Sequence, residues 1–494
     1  MTKRVLQLAL ALLLASGIGT AAAQKDTLTL AVQGEPPVLD PLSNAAAVIN
    51  SIVAGNIIES LTRIEGDGTV VPGLAESWAI SPDGKTYRFT LHRGVLFHDG
   101  TKLDSGAVKY SFERAMAPDS VNPTKKLFEP IAKVEAPDPD TVVIELKSPY
   151  SLFLFNVGQG PTGIVHPGIV ESNKTKPVGT GPYRFQEWAK GNRVVLVRNE
   201  QHRNAAKVAI RQVTFRFIDD PSAGAAALLS GDIDAYTNFP APEALEAFKR
   251  DPRFKVVVGT TEGEVPLILN NKKPPLSDIR VRRAINHAID RQAIIDGAMS
   301  GFGTPIGSHF PPHNPAYVDL TKLYPHDIGK AKQLLAEAGF PDGIDLTLKP
   351  PPFPYARRSA EIVAQQLGEA NIRVKIEPVE WAQWLDIVYK QANYDMTIVA
   401  HAQPWDLDNY ARGPKYYYGY DNPEFNALVR KIRTETDPAR WTDLLRQAQR
   451  KIAEDAVHAF LFQLPKIGVY AEGLEGYWPN SPVPNTDLAA FRWR

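Results

Sequence analysis

The 494-residue chain contains no cysteine. Disulfide frameworks, thiolate metal sites and cysteine nucleophiles are therefore excluded, and the fold must be held by its core alone. Charge of one sign is also missing, since Lys plus Arg and Asp plus Glu number 55 each. No basic run stands out, so nucleic acid is not an expected partner. Long apolar runs are absent too. The longest, residues 5–15, falls short of the roughly 20 residues that span a bilayer. Lys3 and Arg4 precede it, and small residues ending Ala21-Ala22-Ala23-Gln24 follow. That order is the pattern of a secretory signal peptide, with cleavage after Ala23. A lipid anchor needs a cysteine at the cleavage point. The expectation is a periplasmic monomer without an anchor.

Proline, by contrast, is abundant at 41 residues, which favours many ordered loops over long helices. The pattern is most informative over residues 259–298. Val265-Pro266-Leu267-Ile268-Leu269-Asn270 reads as a buried strand, and Pro274-Pro275 breaks it off. Ser277 and Asp278 cap a helix whose stripe is Val281, Ala284, Ile285, Ala288 and Ile289, with Arg280, Arg282, Arg283 and Asn286 on its other side. This strand-turn-helix reads either as the crossover between two lobes or as an ordinary unit within one domain.

Taken in order, residues 27–32 alternate as a first strand and run into a rigid loop containing Glu35 and Pro36. Residues 56–62 read as the end of a helix. Ser81-Pro82-Asp83-Gly84-Lys85 is a turn between strands at 77–80 and 86–91. The Gly84-Lys85-Thr86 triplet is not a phosphate loop, because the upstream glycine spacing is missing. Asp104 and Ser105 cap a helix that turns Val108, Phe112 and Ala115 inward. Helices follow at 330–338, 359–370, 423–434 and 438–454, and strands at 372–376, 394–400 and 460–462. Helix alternating with strand argues for open α/β sheets.

Several of these stretches together resemble a known family. Pro72-Gly73-Leu74-Ala75-Glu76-Ser77-Trp78, Val95-Leu96-Phe97-His98-Asp99-Gly100-Thr101 and Pro177-Val178-Gly179-Thr180-Gly181-Pro182-Tyr183 are similar to motifs of the extracellular solute-binding proteins of family 5. So are Gly231-Asp232-Ile233-Asp234, Arg280-Val281-Arg282-Arg283-Ala284-Ile285-Asn286 and residues 330–339. The resemblance implies a periplasmic-binding-protein-like fold of two α/β lobes, with an extra domain inserted in the first. On that scheme 24–55, 177–263 and 463–494 form lobe I, 56–176 the extra domain and 264–462 lobe II. It also implies a receptor that binds a peptide or peptide-like small molecule and delivers it to an inner-membrane ABC permease with its ATPase subunits. A nickel chelate, an opine or another non-peptide solute is the alternative ligand class.

Residues 401–410 are the most informative ligand loop, with His401, Gln403, Trp405, Asp406, Asp408 and Tyr410 as candidate contacts. Tyr and Trp suit this role because they combine apolar area with a polar edge. By the resemblance, the acid that meets a dipeptide's amino group belongs at Gln403, and the arginine that meets its carboxylate belongs at Pro350. Both clamps of a short zwitterion are thus missing, which favours longer or modified peptides. Tyr236, Asn238 and Phe239 in lobe I are further candidates by the same likeness.

His309 and His313 flank Phe310-Pro311-Pro312, and the prolines exclude the helix that would align them as metal ligands. A surface loop is expected there, and no metal site or cofactor. No nucleophile elbow, His-Glu-x-x-His pair or Gly-rich phosphate turn is present, so an exported hydrolase is the less favoured class.

Overall fold

The computed structural model describes residues 25–44 and 46–494. The leader expected over residues 1–23 lies outside the described residues. The largest feature is an 11-stranded sheet. Its order runs Ile372–Ile376, Ile344–Leu348, Met396–Ile398, Phe254–Leu269, His458–Ala471, Ala235–Tyr236, Thr27–Val32, Gln212–Phe217, Arg193–Arg198 and Tyr183–Ala189, with Thr304–Pro305 paired against His458–Ala471.

Two long strands carry this sheet from one side of the molecule to the other. Phe254–Leu269 and His458–Ala471 pair antiparallel along their lengths, with register shifts between Thr260 and Glu264 and between Val265 and Pro266. On one side of the shifts, His458–Ala471 also pairs Ala235–Tyr236, which lies parallel to Thr27–Val32. On the other side, Phe254–Leu269 pairs Met396–Ile398. The sequence pattern shows only the apolar half of each strand, residues 265–270 and 460–462. The other half, which mixes Phe254, Val256, Ile467 and Val469 with Thr260, Thr261, Glu262 and Lys466, lies outside that expectation although it is strand.

Several local expectations hold. Thr27–Val32 and Ile372–Ile376 form as expected. The caps do as well: Asp104 accepts from Ala107 N at the start of Ser105–Met116, and Asp278 accepts from Arg280 N at the start of Ile279–Ala288. Gly339, at φ +95°, follows helix Ile328–Glu337 in the left-handed region that favours glycine.

Other expectations need correction. Residues 56–62 do not end a helix. Helix Ala47–Val53 stops at Ala54, and Asn56 instead donates through Nδ2 to Thr486 O at 2.7 Å. Arg282 and Asn286 are not on a solvated face but buried. The Arg282 guanidinium fills the junction between elements by donating to the carbonyls of Ala456, Leu276, Ser277 and Asp455.

A separate four-stranded antiparallel sheet, Ala75–Ile80, Thr86–Leu91, Thr141–Leu146 and Ile131–Asp138, packs with helix Ser105–Met116 around Phe89, Phe112, Val142 and Ile144. Among the described residues no helix is long and apolar enough to cross a membrane.

Candidate functional site

The register shift in Phe254–Leu269 places two carboxylates, Glu262 and Glu264, at the crossing of the long strands. Glu264 pairs by backbone with His401, N to O at 2.9 Å in both directions. That bridge extends strand Met396–Ile398 into the loop 401–410, so the loop starts against the crossing strand.

A row of charged groups lies beneath. His309 Nδ1 is 2.6 Å from Glu264 Oε1, and its Nε2 is 3.0 Å from Asp406 Oδ1. The three side chains are 1%, 2% and 11% exposed, so the row is shielded from water. His401 stands 3.7 Å from the other Asp406 oxygen, which also accepts from Asn409 Nδ2 at 2.7 Å. His401 Nε2 is 2.8 Å from the Tyr417 hydroxyl and 2.9 Å from that of Tyr418. Next to this row, His313 Nε2 meets Glu262 at 2.8 Å, while its Nδ1 is 2.5 Å from Thr260 Oγ1. The His309–His313 segment is therefore not a surface loop. Its prolines do exclude a helix, but the turn they impose inserts both imidazoles against the acids.

Burial alone would discharge these groups, so their state depends on their neighbours. For His309, burial opposes the charged ring, yet the carboxylates of Glu264 and Asp406 on either side outweigh it and raise the imidazolium to about 10. Burial likewise raises the Asp406 carboxyl, but hydrogen bonds from His309 and His401 outweigh it and hold Asp406 well below the usual carboxylate range. Burial pushes Glu262 and Glu264 up, only partly opposed by His313 and His309. His309 is thus an imidazolium between two carboxylates, and Asp406 is ionised. Among the described residues, no group of three or more His, Asp or Glu is placed to hold a metal ion.

Above the row opens a narrow crevice lined by Asp67, Phe155, Glu262, His313, Trp405 and Pro482, among others. Trp405 takes the left-handed backbone at φ +61°, unusual for a bulky residue, immediately before the fixed Asp406. Its ring sits between Phe155, Phe310 and Trp441, at centroid distances of 6.0, 5.4 and 4.9 Å. The hairpin-rich segment also meets the loop at Lys126, which donates to Gln403 Oε1 at 2.6 Å. Ser151 reaches across as well, its hydroxyl donating to Ile432 O at 2.9 Å.

Of the sequence candidates, the structure gathers His401, Gln403, Trp405, Asp406 and Tyr410 here. Tyr410 is buried behind the row, its hydroxyl 3.4 Å from His309 Nδ1. Asp408 points away to Arg433, at 2.7 Å. Glu35 is exposed and accepts from Trp188 Nε1 at 2.9 Å, while Pro36 is buried beside it. Tyr236 and Phe239 pack edge to face in a core with Phe248, and the Tyr236 hydroxyl donates to Ile218 O at 2.8 Å. Asn238 alone of that trio is exposed. Sequence reasoning missed Lys126, Phe155, Glu262 and Glu264, and set His309 and His313 aside as a surface loop. The available signal was the pair of acids two apart at 262 and 264, leading into an apolar strand.

Comparison with known proteins places the fold. The family described as bacterial extracellular solute-binding proteins, family 5 middle, matches residues 69–424. A glutathione-binding protein of Salmonella paratyphi A is 29% identical over 491 residues, covering 95% of each chain. Among solved structures, a periplasmic binding protein from Helicobacter pylori in complex with the peptide STSA is 27% identical, with a TM-score of 0.75 over 95% of this chain and 98% of that one. HbpA2 from Haemophilus parasuis is 24% identical and has the same fold, with a TM-score of 0.87 over 95% of this chain and 100% of that one.

Proposed function

The chain belongs to the bacterial extracellular solute-binding proteins of family 5, and from that premise we propose that it is the receptor of an ABC importer for a peptide or peptide-like solute. The observation that carries this reading is the crevice at the strand crossing. Its walls come from sequence-distant segments: Asp67 and Phe155, Glu262, His313 and Trp405, and Pro482. As it stands the crevice holds only about 10 Å³, so a solute enters when its two sides part, and the ring faces and fixed polar groups that line it suit a partly polar small molecule.

We place lobe I at 24–55, 177–263 and 463–494, the extra domain at 56–176 and lobe II at 264–462. The sheet supports this division, since its only long shared strands are Phe254–Leu269 and His458–Ala471. Closure bends the molecule at their register shifts, and ligand contacts made from both sides favour the closed form. The leader pattern supports export to the periplasm without a lipid anchor, where the receptor meets the permease and its ATPase subunits as a monomer. In this reading the protein binds and releases its solute without transforming it. The peptide class is supported by the relatives, one glutathione-binding and one in complex with a tetrapeptide.

Thermal denaturation against peptides of two to six residues, with nickel–histidine chelates and opines alongside, tests the reading. A ligand at 100 times its dissociation constant stabilises by about 2.7 kcal/mol, which is a shift of a few degrees. The expected result is a shift with tri- to pentapeptides and little with dipeptides. A shift only with chelates or opines would keep the receptor and replace the ligand class.

A further inference from the structure

The charges around loop 401–410 are distributed unevenly. Each of its acids is engaged within the protein: Asp406 by His309, His401 and Asn409, and Asp408 by Arg433. Glu262 and Glu264, which face the same space from the crossing strand, are met by His313 and His309. A ligand ammonium approaching this loop would find each of these four acids already paired.

On the cationic side the balance is reversed. Lys126 crosses from the hairpin-rich segment to touch the neutral Gln403, and among the described residues no carboxylate lies within ion-pair distance of it. The uncommitted acid of the crevice is Asp67, on the opposite wall, whose side chain accepts from Thr69 N.

Resting on the receptor reading above, we infer that His309 is a built-in counter-cation for Asp406, and that the cleft therefore takes peptide-like solutes whose end at loop 401–410 is a carboxylate gripped by Lys126, not an ammonium. The Lys126–Gln403 hydrogen bond holds the ammonium at the loop until the ligand carboxylate replaces the neutral amide as its partner. An ammonium–carboxylate pair adds a charge–charge attraction that the ammonium–amide bond lacks, so the exchange favours an anionic end.

The test is calorimetric titration of the protein with three forms of the tripeptide giving the largest thermal shift: free, N-acetylated and C-amidated. Acetylation is expected to change affinity less than about threefold, and amidation to weaken it about tenfold or more. Lys126→Ala, an exposed change that leaves the core intact, is expected to weaken the free acid by about tenfold and erase its advantage over the amide. Loss of binding on acetylation with tolerance of amidation, or an undiminished acid preference in Lys126→Ala, would overturn the inference while leaving the receptor intact. If no peptide shifts the protein, the peptide reading fails instead. The state of His309 is still measurable then: nitrogen NMR of the imidazole is expected to show the doubly protonated ring at pH 8, and a neutral ring would overturn the counter-cation role.

Discussion

At the scale of single residues, the protonation of His309 is coupled to folding. Its ring is raised to about 10 in the folded chain by Glu264 and Asp406, after burial has worked against it. The unfolded chain holds it near the ordinary histidine value of about 6.5. The folded state therefore binds the proton more tightly. The stabilisation is fully present below that ordinary value and is lost as pH rises through the interval up to the folded one. Calorimetric melting from pH 6 to 10 is expected to show a fall of several degrees, additional to any general alkaline trend. His309→Gln keeps two hydrogen-bonding ends but no charge. It is expected to be less stable by about 3 kcal/mol at pH 7, because breaking a buried pair leaves its acids uncompensated. The slope above pH 7 should flatten in that variant. An unchanged slope would place the titration on another group.

At the scale of elements, the junction between the hairpin-rich segment and the rest of the molecule contains a buried ion pair. Arg203 meets Glu59 through both terminal nitrogens, at 3.0 and 2.6 Å, and also donates to Gly73 O. Burial raises the Glu59 carboxyl, yet His202 and Arg203 outweigh it and depress the group to about 2. Since the folded value lies below the unfolded one, this stability is present at neutral pH and lost as pH falls from about 4.5 toward 2. Arg203→Met is expected to cost about 3 kcal/mol at pH 7, read as a lower denaturation midpoint, and to reduce the acid sensitivity. A variant as stable as the parent would show that the pair is only a surface contact.

Elements of this kind differ in how legible they are. Helices Pro423–Thr434 and Pro438–Glu454 carry their own start signals in Asn422-Pro423 and Asp437-Pro438, so local chemistry predicts them. The long crossing strands do not announce themselves along their whole length, because the polar stretch at Thr260, Thr261 and Glu262 interrupts the apolar pattern between two segments that each pack into a core. The site shows the same division. Trp405, Asp406 and His401 fall in one loop after a strand and could be found. His309 and Glu264 lie 45 positions apart, and nothing local signals that an imidazole flanked by prolines will be driven against a strand carboxylate.

At the scale of the molecule, closure should depend on the few contacts that cross the crevice. Lys126 to Gln403, Ser151 to Ile432 and Phe155 to Trp405 join the hairpin-rich segment to the far side. The first two are polar and exchange readily for water, so they add little net free energy. Phe155 is different. It is buried with Ile64 and Val483 and covered by Trp405, so opening the cleft would expose apolar surface on both rings. Truncating such a ring removes about 2 kcal/mol of burial. If most of that burial is made only in the closed form, the closed-to-open ratio falls about thirtyfold. Phe155→Ala is therefore expected to enlarge the ligand-free protein in solution scattering, and a saturating ligand should restore the compact form. Its apparent affinity should weaken in proportion to the lost closed population, since a ligand that binds only the closed state is charged for reaching it. The two readouts must move together. Weaker binding with an unchanged radius of gyration would make Phe155 a wall of the ligand site and not part of the closing contact. Identical radii with and without ligand in both proteins would remove hinge closure from the mechanism altogether.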